Sequence, residues 1–295
     1  MPPRPAPRPD ATGLVLLVAT TLGWGLNWPA MKLLLAELPV LSTRAAHGAL
    51  GCAVLVAVAL ARREALAVPV ALWPRLVLAS LLNVTAWMGL ASFSLLWLSA
   101  AEATIVCYTM PVWAVLMAWA ILGERPGVAR IAGLLLALSG LALLVLGQGL
   151  AVGIEKLPGV ALGLASAVLF SLGTVVTKRW PLGLPPTAGA VWQVGLGIAP
   201  LALLALLLDP PGFGALSAQG WALIAYGGVF ALGLCYLSWF AALRRLPASL
   251  ASLGTLLTPM VGVAGAALVL GEPFGWREAA AMGLTLSGVA LAARG

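Results

Sequence analysis

Ala120-Ile121-Leu122-Gly123-Glu124, followed by Ala137-Leu138-Ser139-Gly140-Leu141, is written a second time as Val269-Leu270-Gly271-Glu272 and Thr285-Leu286-Ser287-Gly288-Val289. The spacing between the copies is constant: 272 − 124 = 148 and 287 − 139 = 148. Pro111 returns as Pro259 at the same distance (259 − 111 = 148), and Lys32 as Lys178 at nearly the same one (178 − 32 = 146). One membrane unit carried twice is the pattern of carriers that work by alternating access. A simple anchor has no use for matched halves.

Hydrophobic residues make up 62% of the chain and charged residues 8%, with a mean hydropathy of +1.07. A soluble domain carries about 25% charged residues, so lipid is the solvent of most of this surface. A bilayer core of ~30 Å takes ~20 apolar residues as helix. Ten such runs are present, at about 12–34, 40–61, 72–98, 101–122, 128–147, 158–178, 186–208, 218–242, 249–270 and 276–293. They are continuous, without the alternation of barrel strands. The expected fold is an all-α integral membrane protein: ten transmembrane helices as two inverted five-helix repeats around a central cavity. Repeat 1 spans about 12–147 and repeat 2 about 158–293, within a single transporter domain at 12–295 that follows a Pro-rich cytoplasmic tail at 1–11. Five crossings per repeat is an odd number, so Glu124 and Glu272 are expected on opposite faces. A cleaved signal peptide is not expected, because the run after Arg4 and Arg8 is too long and lacks an Ala-x-Ala site.

The net charge of +7 reports topology. With the N-terminus inside, twelve basic residues (Arg4, Arg8, Arg62, Arg63, Arg75, Arg125, Arg130, Lys178, Arg179, Arg244, Arg245 and Arg294) fall on the inner side. Lys32, Arg44, Lys156 and Arg277 fall outside. This positive-inside bias places both termini in the cytoplasm of a multi-pass inner-membrane protein. A nucleic-acid partner would need one contiguous basic face, so the expected partners are the bilayer and a small-molecule substrate. Cys52, Cys107 and Cys235 are scattered and form no CxxC, and His47 is the sole histidine. No metal and no cofactor are expected. There is no HExxH, phosphate loop or His/Cys cluster, so the chain reads as a non-enzyme.

A carrier's cavity holds a few polar groups in a mostly apolar wall. Trp24, Asn27, Trp28 and Met31 share one helix face. Asn83 with Trp87, Phe170 with Thr174, and Tyr236 with Trp239 are further pairs of this kind. Tyr108 lies one turn before Pro111, and Thr255 and Thr258 lead into Pro259. Pro111 and Pro259 are expected helix kinks, since each removes a backbone hydrogen bond. The substrate-binding candidates are therefore Trp24, Asn27, Trp28, Asn83, Trp87, Tyr108, Phe170, Thr174, Tyr236, Trp239 and Thr258. Rings that stack beside amides and hydroxyls suit a planar, amphipathic solute. The bland alternatives stay open. The deeper Trp side chains also serve as packing, and Thr hydroxyls also bond their own helix. Trp73, Trp180, Trp221 and Trp276 flank runs as interface residues, Lys32 and Lys178 are expected to snorkel, and the Gly-Glu corners are expected to be structural.

The chain resembles the drug/metabolite transporter superfamily, in its ten-helix EamA-type branch. The residues that carry the resemblance are Trp24-Gly25-Leu26-Asn27 with Lys32, Arg44, and Ala103 … Pro111 … Gly123-Glu124 … Gly133 … Ser139-Gly140. The second copy supplies Pro259 … Gly271-Glu272 … Gly283 … Ser287-Gly288. More narrowly it is similar to the aromatic amino-acid exporters of that branch, the YddG type. The resemblance implies a basket of ten helices, a cavity lined by runs one, three, four, six, eight and nine, and export or exchange of small metabolites. One departure is visible: Phe170-Ser171-Leu172-Gly173 stands where the first copy has Trp24-Gly25-Leu26-Asn27.

An ionised side chain at mid-bilayer costs ~2.5–3.5 kcal/mol or more, and all nine acids lie in the tail, at run ends or in loops. Facilitated diffusion or exchange is therefore expected, without a deep carboxylate relay. The competing functions are a broad-specificity drug/metabolite exporter and, from another class, a non-transporting membrane scaffold subunit.

Overall fold

In the computed structural model the chain is described over residues 10–123, 127–146, 150–209, 212–243, 245–246 and 257–294. Glu124, Thr255 and residues 1–9 of the tail lie outside that set. The described chain is all-α. Its helices are α1 (Ala11–Leu34), α2 (Val40–Ala61), α3 (Trp73–Ser80), α4 (Trp87–Ser94), α5 (Ala100–Cys107), α6 (Met110–Leu122) and α7 (Val128–Leu146), then α8 (Leu150–Arg179), α9 (Pro186–Leu208), α10 (Ala218–Ala225), α11 (Cys235–Leu243), α12 (Leu257–Leu270) and α13 (Trp276–Arg294). Among the described residues seven stretches are long and apolar enough to cross a membrane: Ala11–Leu34, Val40–Ala61, Val70–Ser94, Ala100–Leu122, Ile154–Arg179, Pro186–Leu208 and Ala218–Trp239. Ile131–Gly140 and Leu257–Leu270 are shorter apolar helices. The chain is thus a multi-pass membrane protein.

Three runs that read as single helices are interrupted. Between α3 and α4, residues Leu81–Ala86 form a π-helical turn, and between α10 and α11 so do Tyr226–Leu234. Both end at the same register (234 − 86 = 148). The fourth run breaks at Tyr108 and Thr109, and Pro111 sits in the first turn of α6. The expected kink at Pro111 is thus a helix start, where its missing N–H costs nothing. Pro259 is likewise in the first turn of α12, as far as the described residues extend.

Helix contacts follow the repeat. α7 packs on α13 and α2 on α9; α1 meets α12 as α8 meets α6; and α1 meets α11 as α8 meets α4. The contacts are reciprocal residue by residue. A methyl on Gly140 would lie 2.7 Å from the Ala281 carbonyl oxygen, and one on Gly288 would lie 2.5 Å from that of Gly133 (288 − 140 = 281 − 133 = 148). Where Gly25 lets α1 approach the Thr258 carbonyl, its counterpart Ser171 donates to the Met110 carbonyl at 2.6 Å. Small residues let backbones approach in lipid, where hydrophobicity gives no inward drive.

The acids fasten helix ends. Glu272 accepts from the Ala100 and Ala101 N–H groups at 2.8 and 3.1 Å, covering the start of α5. Glu64 takes Thr187 and Ala188 at the start of α9, and Glu37 takes Ser217 ahead of α10. A carboxylate at a helix N-terminus satisfies orphan donors and meets the positive end of the dipole. Gly123 and Gly271 end their helices with φ of 73° and 64°, a conformation glycine adopts without steric cost. Lys32, expected to snorkel, instead donates to the Leu95 and Leu98 carbonyls after α4. Carbonyls left open after a helix end are favourable acceptors for a cation.

Candidate functional site

Three aromatic groups converge where α1, α4, α5, α8 and α11 meet. Trp24 lies 5.5 Å from Tyr236 and 5.9 Å from Trp239 between ring centroids; Trp28 lies 6.4 Å from Tyr108; Trp87 lies 5.0 Å from Phe170. Trp87 packs against both large core clusters, so it stands at their junction. Its place follows from the π turn before it: one extra residue per turn rotates everything downstream. Trp24 is anchored by donating from Nε1 to the Ala231 carbonyl at 3.0 Å, inside the second π turn, and the Tyr226 hydroxyl returns to Gly23 O at 2.8 Å.

Buried polar atoms lie on elements that carry or adjoin these rings. Asn27 Oδ1, Asn83 Oδ1 and Thr258 Oγ are buried without a hydrogen-bond partner among the described residues. Buried polar atoms are nearly always paired, and an orphan in a carrier is a place for water or solute. Asn83 Nδ2 reaches Gln193 Oε1 at 3.5 Å, and its side chain lies where a Cβ on Gly173 would be. Thr258 lies beside the Tyr108 hydroxyl. Tyr108 and Tyr236 are deep in the packing yet keep accessible surface. Both rings therefore lie within the helix packing without being sealed off.

Thr174 behaves differently: it is exposed, and its hydroxyl donates to the Phe170 carbonyl of its own helix at 3.0 Å. Trp180, Trp221 and Trp276 are exposed at 45%, 51% and 69%. Trp73 packs edge-on to Trp192, 5.1 Å away. Among the described residues no three His, Cys, Asp or Glu side chains gather as a metal site. Sequence reasoning missed Gln193 and Arg44. Arg44 entered as an outer-side charge and as part of the family resemblance, not as a site residue; on α2 its Nε donates to Ser92 Oγ on α4.

The EamA-like transporter family model matches residues 11–146 and again residues 157–294. The uncharacterized transporter YvbV of Bacillus subtilis is 30% identical over 274 residues, covering 90% of this chain and 86% of that protein. A probable terminal-alkyne amino-acid exporter of Streptantibioticus cattleyicolor is 28% identical over 204 residues, 68% of this chain and 66% of that protein. A solved crystal structure with 24% identity superposes over 93% of this chain and 97% of its own with a TM-score of 0.66, a likeness of fold.

Proposed function

Because this chain belongs to the EamA-like transporter family, and is therefore a small-molecule transporter rather than an enzyme, we propose that it moves amino acids, aromatic ones included, by alternating access. It exports or exchanges them across a bacterial inner membrane by facilitated diffusion, with both termini cytoplasmic. Ten crossings in two inverted halves give the exchange its geometry. The reciprocal contacts of Gly140 with 281–285 and of Gly288 with 133–137 support inversion. They are what two antiparallel copies make across a two-fold axis.

The observation that carries the substrate class is the coincidence of orphaned polar atoms with aromatic rings. Asn83, with its unpaired oxygen, is one turn from Trp87, and Trp87 faces Phe170. A ring slots between apolar faces while amide and hydroxyl groups turn toward an ammonium or carboxylate. The likeness over two thirds of the chain to a probable amino-acid exporter supports the same class. Thr174 contributes no free hydroxyl to such a site, since it donates to its own backbone. The π turns supply flexible joints, because their wider hydrogen-bond pattern lets two half-helices pivot.

Uptake of radiolabelled phenylalanine into reconstituted vesicles tests the reading. Asn83→Ala and Trp87→Ala are expected to cut the flux by about tenfold, the effect of losing one buried bond or ring contact, about 1.4 kcal/mol. Equal flux in variants and wild type removes both residues from the path. Saturable transport of cationic dyes alone would instead favour the broad exporter. For topology, a Cys-free background carrying Pro126→Cys or Pro273→Cys is expected to label from opposite faces of intact cells. Labelling of both from one face eliminates the inverted arrangement.

A further inference from the structure

We propose that Arg44 anchors the transported solute by its carboxylate, a role that rests on the amino-acid reading above and narrows it to organic anions and zwitterions. Arg44 lies on α2 at the level of Ser92, near the Tyr236 ring and Cys107. It sits deep in the packing but retains accessible surface, as Tyr236 beside it does. Its recorded hydrogen bond is the one from Nε to Ser92 Oγ, a neutral acceptor. Guanidinium carries five N–H donors, and with Nε given to Ser92 the four on the two Nη groups remain for a ligand.

No carboxylate among the described residues bonds this cation. Glu37, Glu64 and Glu272 hold helix starts, Glu102 pairs with Lys156 at 2.7 Å, and Asp10 pairs with Arg245 at 3.5 Å. The protein's other half-buried cation near this region, Lys32, is satisfied by two carbonyls. A buried charge without its counter-ion is unfavourable in a chain of this kind. It persists where the counter-ion arrives as cargo. The two Nη groups match a carboxylate bidentately, and the Ser92 bond fixes the fork's direction. Besides Tyr236 and Cys107, His47 one turn further along α2 is a titratable neighbour; it packs against Gly227 with Nε2 unpaired. The Trp24–Tyr236 pair then takes the solute's apolar part.

The full-length purified protein is titrated with phenylalanine, 3-phenylpropionate and phenethylamine, following its own tryptophan fluorescence. Chloride and sulfate serve as competitors, to separate an organic carboxylate from an inorganic anion. Wild type is expected to bind both carboxylates at least tenfold tighter than phenethylamine. In Arg44→Gln that preference collapses to about onefold with phenethylamine binding unchanged, and Arg44→Lys restores it in part. As a check that needs no variant, phenylglyoxal modification of Arg44 in wild type is slowed by the carboxylates and not by phenethylamine. A residue used only to tie α2 to α4 would shift stability without moving the preference. Arg44→Gln that keeps the wild-type preference overturns the anchor while leaving amino-acid transport standing, as does an Arg44 that no carboxylate shields. Wild type that binds none of the carboxylates overturns both, and displacement by chloride or sulfate alone assigns the fork to inorganic anions and overturns the carboxylate role.

Discussion

Gly288→Ala is expected to lower stability by about 2 kcal/mol, and Gly288→Leu to leave little folded protein at all. The new methyl would press on the Gly133 carbonyl oxygen and the Ala137 amide nitrogen, each 2.5 Å away. Backbone atoms of a packed helix cannot swing aside as a side-chain tip does. Helix propensity favours Ala over Gly by about 1 kcal/mol, so the steric cost has to exceed that before a loss is seen. Gly140→Ala meets the Ala281 carbonyl at 2.7 Å and Thr285 Oγ at 2.6 Å and is expected to behave alike. The double variant should cost less than the two single losses together. Once α7 and α13 are forced apart by one methyl, the second finds room already opened. Thermal unfolding in detergent decides it. Unchanged melting of either single variant, or simple additivity in the double, would show that the crossing is loose.

Glu272→Ala carries the second large effect, about 3 kcal/mol, because two charge-assisted bonds to the first N–H groups of α5 vanish together. Both donors would face the low-dielectric end of the bundle without an acceptor. Glu272→Gln keeps one acceptor oxygen and forfeits the charge, so it should lose roughly half as much. The same corner holds Lys32 on the carbonyls after α4 and the Glu102–Lys156 pair. Damage there should reach transport as well as melting. Melting curves that place alanine and glutamine together would mean that the carboxylate does not cap α5.

Much of this architecture was legible because the decisive signals are local. Apolar runs in a bilayer have one backbone solution, and the Gly-Glu corners announce where helices stop. Aromatic residues at i, i+3 and i+4 gave the faces that hold Trp24, Trp28 and Trp87. What stayed hidden needs the third dimension. A π turn and an α turn have the same hydrophobic content, so nothing in Leu81–Ala86 sets it apart from its neighbours. Pro111 signals a disturbance, yet only the break at Tyr108 and Thr109 shows that a new helix begins there. The partners of Lys32 could not be read from sequence because they lie more than sixty residues away. Arg44 opens the second run, and only the fold shows that it meets Ser92 on α4. Thr174 looked equivalent to Thr258; the two differ in that one satisfies itself on its own helix and the other is left wanting.

The wide turns before Trp87 and Cys235 carry a historical consequence. Each arises from one residue inserted into a regular helix, and both close at the same register of their halves. Two independent insertions at one matching turn are far less economical than a single event. A single event before the repeat was doubled accounts for the matched ends of the two turns, although one is six residues long and the other nine.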